Sequence, residues 1–499
     1  MSIWENPEEG RGSLYNSVIT NTSKEMMSFS DFPMPEDFPT YLHHTKVLEY
    51  ICLYAQNFNL LNYITFQTEV CSVQKHSDFS TTGQWDIVTE KNGNRKKDVF
   101  DAILVCNGHF TEPYLPLDCF KGIHDYKGRI IHSRTYKTSE DYRGKTVLVV
   151  GIGNSAGDIA VEISHIAKQV FLSTREGSWV ISRISHRGFP LDMVISRRST
   201  MWFKNVLPQK LAAKFIEKKM NGWFNHENYG LEPNNSLKIP IVNDYLPSQI
   251  LHGAIKIKPN LQRFTETSAI FEDGTVAENL DAVIFATGYN SVFPFLDNGT
   301  IKLDENNIPL YKHVFPVHLE KPTLAFLGLI QPLGPIIPTV ELQARWATGI
   351  IKGNIHLPPH RTMENYNRKS IESKIRWFGN SRHLPLQTHY IDYINELSEE
   401  IGISPNLSLF ITDPKLAWQV FFGPCTPYQF RLFGHGKWQG ARKAILTQWD
   451  RTLKPTRTRN LHKSPERRPR FHYCILLSFI AVMAGVMFCS QCISKADYL

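Results

Sequence analysis

Apolar residues recur along the chain at two spacings, and each change of spacing marks a change of element. Val47, Leu48, Ile51, Tyr54 and Ala55 fall three or four residues apart within Thr45 to Tyr63, which predicts an amphipathic helix with one buried face. Just before it, Phe29 to Pro39 reads FSDFPMPEDFP; prolines among aromatics exclude a helix and predict a packed loop. Phe66 to Val73 and Trp85 to Thr89 alternate as half-buried strands do, and Asn92-Gly93 within Lys91 to Lys97 predicts a hairpin turn. Val99 to Cys106 is apolar enough to enter a parallel sheet, and Gly108 ends it.

The pattern resets at Gly144-Lys145. Thr146 to Val150 is a wholly apolar or β-branched run, followed by a glycine turn, an amphipathic stretch and a second strand from Gln169 to Thr174, the order of a β-α-β unit. Ser182 to Asn260, rich in Trp, Phe, Lys and Arg, predicts an irregular, partly helical insertion. Asp273-Gly274 predicts another hairpin turn, and Ala282 to Ala286 a fully buried strand. Ser404 to Arg459 is mixed and closes the body, and no repeat of solenoid period is visible.

Composition changes this picture at the C-terminus. The chain has 499 residues, 42% hydrophobic and 20% charged, too many for one core and ordinary for a globular protein. Of its net charge of +8, much lies between Arg451 and Arg470; a local patch of that kind argues against nucleic acid as a partner. Phe471 to Ser494 reads FHYCILLSFIAVMAGVMFCSQCIS, about two dozen residues without a fixed charge, which at ~1.5 Å per residue predicts a helix spanning a ~30 Å hydrocarbon layer. The basic stretch before it (Lys463, Arg467, Arg468, Arg470) would hold that side in the cytosol. The body shows no other apolar span, so a single C-terminal anchor is expected. Residues 1–12 have no apolar core of a secretory signal. Cys52, Cys71, Cys106, Cys119 and Cys425 lack pairing or metal-ligand spacing, the usage of a reducing compartment; Cys489 and Cys492 form a C-x-x-C beside the apolar run, a poor place for redox chemistry.

Candidate chemistry sits at the reset. Gly151-Ile-Gly153-Asn154-Ser155-Ala156 fits G-x-G-x-x-G/A directly after a strand and at the mouth of a helix. Gly151 permits the tight turn, Gly153 lets the backbone approach a pyrophosphate, and Ala156 allows close helix-strand packing. The helix N-terminus offers amide hydrogens and partial positive charge to the phosphates. An NAD site places Asp or Glu at the end of the second strand, whereas this chain reads Ser173-Thr174-Arg175; Arg175 can fork onto a 2′-phosphate, which favours NADP. Glu176 next to it is the counter-indication.

At this point the chain resembles the vertebrate flavin-containing monooxygenases of microsomal type. The resemblance runs from about Glu8 to the C-terminus and is carried by TNTSKEMMSFSDFPMPEDFP (Thr20 to Pro39), GIGNSAGD (Gly151 to Asp158), FATGY (Phe285 to Tyr289) and YKGRIIHSRTYK (Tyr126 to Lys137). The last is similar to the family signature F-x-G-x-x-x-H-x-x-x-Y/F, with Tyr126 at the usual Phe and Gly128, His132 and Tyr136 in step; Baeyer-Villiger relatives end that signature in Trp. The resemblance implies an α/β protein with two doubly wound, Rossmann-like domains. An FAD-binding domain would comprise 1–140 and 281–455 and an NADP-binding domain 141–280, followed by a basic linker at 456–470 and an anchor at 471–494. It implies FAD and NADPH as cofactors, O₂ and lipophilic amines or sulfides as substrates, and a cytosolic body at the endoplasmic reticulum membrane. A flavin C4a-hydroperoxide would transfer one oxygen to a soft N or S atom. By motif, Asn21 corresponds to the asparagine beside the flavin, Thr20 and Thr22 to nucleotide-contacting positions, and Ser155, Ala156, Gly157 and Asp158 to the NADP loop. His132 reads as structural, and a homo-oligomer stays open.

Family members open with a strand, G-x-G-x-x-G, a helix and a second strand, and Met1 here stands downstream of all of them. The FAD sheet is therefore expected to lack its first β-α-β unit, leaving apolar residues near Val99 to Cys106 and Val47 to Tyr54 exposed. Two functions follow: an N- or S-oxygenating monooxygenase, or a catalytically silent NADP-binding protein. A plain dehydrogenase or disulfide reductase is disfavoured by the scattered cysteines. Substrate choice depends on the middle insertion.

Overall fold

A computed structural model describes residues 14–234, 238–297, 309–379 and 384–459. The chain divides into two units, Met1–Thr456 and Arg457–Leu499; the described residues fall almost wholly in the first. The expected anchor at Phe471 to Ser494 lies outside the described residues, among which no helix is long and apolar enough to cross a membrane.

The centre of the first unit is a five-stranded parallel sheet in the order Ile255–Lys258, Gln169–Ser173, Thr146–Val150, Ala282–Phe285, Arg129–His132. The Thr146–Val150 and Ala282–Phe285 strands are buried at every position, as a parallel sheet covered on both faces requires. Alternation assigns the two faces. Val147, Val149, Ala282 and Ile284 pack with Ile159, Ala160 and Ile163 of the helix Asn154–Ser164. Leu148, Val150, Val283 and Phe285 pack with Phe264 and Phe271, which belong to an antiparallel sheet of Leu261–Phe264, Ala269–Phe271 and Val276–Ala277. At ~1.5–3 kcal/mol for each fully buried aliphatic or aromatic side chain, these two layers are the main stabilisation of the region.

The sheet corrects one sequence expectation and extends past another. Ile255–Lys258 lies inside the stretch expected to be an irregular insertion, yet it is an edge strand of the sheet; its alternating Lys residues suit an edge, where one row of side chains meets solvent. Arg129–His132 and Ala282–Phe285 lie outside the expected 141–280 limits of the NADP domain and still pair in this sheet. The sequence between them supplies the glycine turn, and the flanking strands close around it.

Around this centre, Glu69–Lys75, Trp85–Lys91 and Asn94–Phe100 form an antiparallel meander. Asn92 and Gly93 both take positive φ (52° and 79°), the signature of a two-residue type I′ hairpin. That turn fixes the register so that Trp85 faces Phe100. Val99 and Phe100 therefore end the meander, and only Ile103–Val105 is parallel, paired with Leu324–Phe326; the single strand expected over Val99 to Cys106 is two. Among the described residues Ile103–Val105 has no second strand partner. Leu104, Val99 and Phe100 are exposed, whereas Ile103 and Val105 are buried and no apolar residue from Val47 to Tyr54 is exposed, so the expected exposure holds for the first segment in part and not for the second. The helix His44–Asn57 buries only Val47 and Tyr50 fully, and it ends sooner than its periodicity suggests because Asn59 turns left-handed (φ 52°). Phe29 to Pro39 is the packed loop expected, with Met34 and Phe38 buried against Tyr50.

Candidate functional site

The glycine turn is built by close approach. Gly151 has φ +119° and donates its amide hydrogen to the Ser173 carbonyl at 2.9 Å. A Cβ at this position would stand 2.5 Å from the Ala286 carbonyl oxygen, so only glycine fits. Gly153 differs: a Cβ there would meet nothing within 4 Å, which leaves the backbone in front of the helix N-terminus open to a ligand. Ala156 is fully buried against the sheet, and a Cβ on Gly157 would come to 3.3 Å from Ile241. Gly151 and Gly153 thus form the turn, and Ser155, Ala156 and Gly157 stand in the first turn of the helix Asn154–Ser164 that follows it.

Two expected cofactor residues of the same motif have other partners. The Asn154 carboxamide oxygen accepts the Val242 amide at 2.8 Å. The Asp158 carboxylate accepts the Tyr15 hydroxyl at 2.7 Å and the Asn243 amide at 2.9 Å, and burial raises its pKa above the usual carboxylate range. A buried carboxylate bound in this way joins the N-terminal segment and the insertion to the nucleotide helix. Ser17 on Glu162 adds a second tie along the same helix.

At the end of the second strand Thr174 is buried, and its hydroxyl accepts the Gly177 amide at 3.0 Å. Arg175 lines a cavity of about 750 Å³ with Lys256 and Lys258. Glu176, the counter-indication, pairs with Lys238 at 3.3 Å. Periodicity gave no sign of the three lysines; the strand that carries two of them was hidden in the insertion.

Asn21 is held from across the fold. Arg183, only 5% exposed, donates Nη2 to Asn21 Oδ1 at 2.7 Å and Nε to the Thr20 carbonyl at 3.1 Å. Its Nη1 meets Asp244 at 2.8 Å, and that carboxylate also accepts Ser182 Oγ at 2.6 Å. A guanidinium only donates, so this contact fixes which end of the carboxamide is the oxygen and leaves the Nδ2 hydrogens for whatever lies opposite. Thr20 is pinned by mutual bonds with Leu42 (2.8 and 2.9 Å), and Thr22 stands half-buried beside it. The next residues anchor the segment. Ser23 donates to buried Asp192 through its amide (2.6 Å) and hydroxyl (2.8 Å), and Lys24 donates to the carbonyls of Glu36 and Phe38 (2.8 Å each). Glu25 accepts Tyr428 at 2.8 Å and Arg451 at 3.1 Å. Arg183, Asp244, Asp192 and Arg451 escaped the sequence reading because each acts at long sequence separation.

The remaining motifs join one another. The Arg134 amide donates to His132 Nδ1 at 3.1 Å, so the proton sits on Nε2, which donates to the Gly288 carbonyl at 3.0 Å. Burial lowers the His132 pKa, and the ring is a neutral strut between the YKGRIIHSRTYK and FATGY segments. Tyr126 covers Gly128, where a Cβ would fall 2.1 Å from its hydroxyl oxygen, and that hydroxyl donates to the Leu280 carbonyl at 3.0 Å.

A family profile described as flavin-binding monooxygenase-like matches residues 2–491. The chain belongs to this family. The flavin monooxygenase is 54% identical over 486 residues to dimethylaniline monooxygenase (N-oxide-forming) 2 of Rattus norvegicus, covering 97% of this chain and 90% of that one. It is 53% identical over 491 residues to flavin-containing monooxygenase 2 of Homo sapiens, covering 97% and 91%. Solved structures share its fold. S-allyl-L-cysteine S-oxygenase from Allium sativum matches at TM-score 0.57 and 24% identity over 79% of this chain and 75% of that one. Cyclohexanone monooxygenase from Rhodococcus sp. Phi1, bound to NADP+, matches at TM-score 0.56 and 16% identity over 78% and 89%. The protein is thus an enzyme of flavin monooxygenase type, and the family uses flavin and NADP(H).

The residues present fit the nicotinamide dinucleotide: an open Gly153 backbone at a helix N-terminus, with Arg175, Lys256 and Lys258 in the cavity at the end of the next strand, where Glu176, Glu232 and Asp273 also stand. For a flavin dinucleotide the described residues hold the expected Thr20 to Thr22 segment and a second passage from strand to helix, Gln331–Leu333 through Gly334 (φ +150°) into Ile336–Ile351, but this one lacks the G-x-G-x-x-G/A pattern.

Proposed function

We propose that this flavin monooxygenase uses NADPH and O₂ to oxygenate soft nucleophilic nitrogen or sulfur atoms of lipophilic small molecules at the membrane of the endoplasmic reticulum. The observation that carries the reading is the Arg183 clamp on Asn21: a carboxamide aimed by a buried guanidinium donates hydrogen bonds and offers no labile acid, which suits an oxygen-transfer site that must not protonate its own oxidant. When bound, flavin supplies the O₂ chemistry and NADPH the hydride. The protein's own residues bind, orient and exclude water. Gly151, Gly153, Ser155, Ala156 and Gly157 receive the NADP pyrophosphate, and Arg175 with Lys256 and Lys258 receives the 2′-phosphate. Thr20, Asn21 and Thr22 face the flavin. Asn154, Thr174 and Asp158 support these groups through the bonds described. The sheet between 129 and 285 is assigned to NADP, and the rest of 1–140 and 281–455 to flavin.

The named relatives' N-oxide formation supports amines as substrates. The test is NADPH-dependent oxygenation of dimethylaniline and of a simple thioether by the purified flavin-loaded protein and by Asn21→Asp, which keeps the shape and adds an acid. Product formation that falls while NADPH consumption persists supports the reading. Unchanged coupling in the variant overturns it.

A further inference from the structure

A group of basic side chains outside the residues assigned to either nucleotide is arranged for a reaction of its own. The hairpin of Leu310–Tyr311 and Phe315–Pro316 turns through Lys312 and His313, both left-handed (φ 49° and 61°), a backbone that turns usually give to Gly or Asn. The Tyr393 hydroxyl donates to the Lys312 carbonyl at 2.6 Å and holds that turn. Lys312 pairs with Glu396 and with Glu400 (3.0 Å) of the helix Tyr390–Ile401, and the Tyr366 hydroxyl donates to Glu396 at 2.9 Å. Lys374, on the helix His360–Phe378, is left with neutral partners: its Nζ stands 2.9 Å from His313 Nε2 and 2.9 Å from the Pro385 carbonyl. Burial alone lowers its pKa, to about 7, and burial also keeps the His313 ring neutral. Lys374, His313, Lys312 and Tyr366 line a cavity of about 20 Å³; room for one water takes ~10–15 Å³, so the space admits a ligand of only a few heavy atoms.

We propose that Lys374 is a covalent modification site at which the amine condenses with a small aldehyde, His313 carrying the protons. A neutral amine has two hydrogens, one for the Pro385 carbonyl and one for His313 Nε2, and keeps its lone pair for an electrophile; an ammonium would hold a third hydrogen that no described group accepts. The lone pair attacks the carbonyl carbon, and the π electrons move to oxygen. His313 Nε2 takes one amine proton and delivers it to that oxygen, giving a carbinolamine. The second amine proton follows when the C–O bond breaks. Both protons leave with the aldehyde oxygen as water, a C=N bond remains, and no oxidant or reductant enters. Burial selects the electrophile. The imine is uncharged, whereas carbon dioxide would leave a buried carbamate anion beside a lysine that already faces two glutamates. The assignment is independent of the oxygenation reading, because neither nucleotide supplies a group to it.

The test is trace reductive methylation of the full chain in detergent, with formaldehyde as the aldehyde and cyanoborohydride to trap the imine, read lysine by lysine by mass spectrometry of peptides. At pH 7 an ordinary lysine is neutral in roughly one molecule in 10³, so Lys374 should be methylated at least about tenfold faster than the median exposed lysine despite its hindered access. Its rate should level off above about pH 7, while the exposed lysines keep rising toward about pH 10. His313→Asn, which suits the left-handed turn, should slow Lys374 several-fold and leave the other lysines unchanged. Benzaldehyde, too large for the cavity, should show no preference for Lys374. A Lys374 rate at or below that of the exposed lysines, in a chain that keeps its cooperative thermal transition, overturns the proposal, and so does a preference that appears only in denaturant. An equal preference with benzaldehyde overturns the cavity as the place of reaction, and an unchanged rate in a folded His313→Asn chain overturns the proton transfer assigned to His313.

Discussion

Two parallel strands meet different surroundings in this molecule. Thr146–Val150 is buried at all five positions with a hydrogen-bonded neighbour on each side. Ile103–Val105 is buried, exposed, buried, with Leu324–Phe326 as its one strand partner among the described residues. The first strand delivers its glycine turn to a fixed place, because the neighbours that bury it also set its height in the sheet. The second keeps an open edge with Leu104 at 40% exposure. Nucleotide recognition is therefore preorganised where strands flank the turn on both sides, and tolerance to change is expected at the strand with one partner among the described residues.

Matched glycine substitutions test that contrast most strongly. Gly151→Ala places a methyl 2.5 Å from the Ala286 carbonyl oxygen at φ +119°; strain and overpacking together should cost about 2–5 kcal/mol. Gly108→Ala, also at positive φ (+78°) but with nothing within 4 Å, should cost only about 1 kcal/mol. Chemical denaturation of the two variants decides the matter, and equal losses would remove the contrast.

Arg175 sharpens it at the level of the ligand. Arg175→Ala should lower NADPH affinity by about 1.5–3 kcal/mol and NADH affinity little, since the lost contact is charge-assisted and specific to the 2′-phosphate. Calorimetric titration with both cofactors checks it. Parallel losses would move the 2′-phosphate to Lys256 and Lys258.

Outside the nucleotide sheet, buried charge gives a pH signature. Lys374 Nζ lies 2.9 Å from His313 Nε2 and 2.9 Å from the Pro385 carbonyl, and burial lowers its pKa from 10.5 to about 7. Between those values the unfolded chain holds a proton that the folded chain has released, so stability rises with pH across that window. Lys374→Met removes the dependence. The variant should be more stable than the parent near pH 7, by on the order of 1–3 kcal/mol, with the gap closing toward pH 10. A constant gap across that range would show that Lys374 is charged in the fold.

The smallest effect is expected at the open edge. Leu104→Lys should change stability by no more than about 0.5 kcal/mol while reducing light scattering on storage, because a charge on an edge strand opposes strand-to-strand association. A large loss of stability would mean that Leu104 is covered.

Much of the fold was legible because its signals are local. The β-α-β unit followed from five apolar residues, a glycine turn and a helical period, and the Asn92-Gly93 hairpin from two residues that tolerate positive φ. Errors came where local signals were weak or merged. Val99 to Cys106 reads as one apolar run, although the hairpin register stops the first strand at Phe100. Ile255–Lys258 was lost among the basic residues of the insertion.

The sequence by itself determined the strand-turn-helix order, the absence of an acid at Thr174 and Arg175, and the blocks that carry the family resemblance, because steric limits on φ and ψ and side-chain periodicity act over a few residues. Only the tertiary structure decided which partners those residues take: Arg183 reaches Asn21 across 162 positions and Tyr15 reaches Asp158 across 143. A hydrogen bond between distant residues exists only after the chain has closed and desolvated both groups, so no local pattern announces that Asp158 is a buried strut or that Asn21 is aimed by a guanidinium.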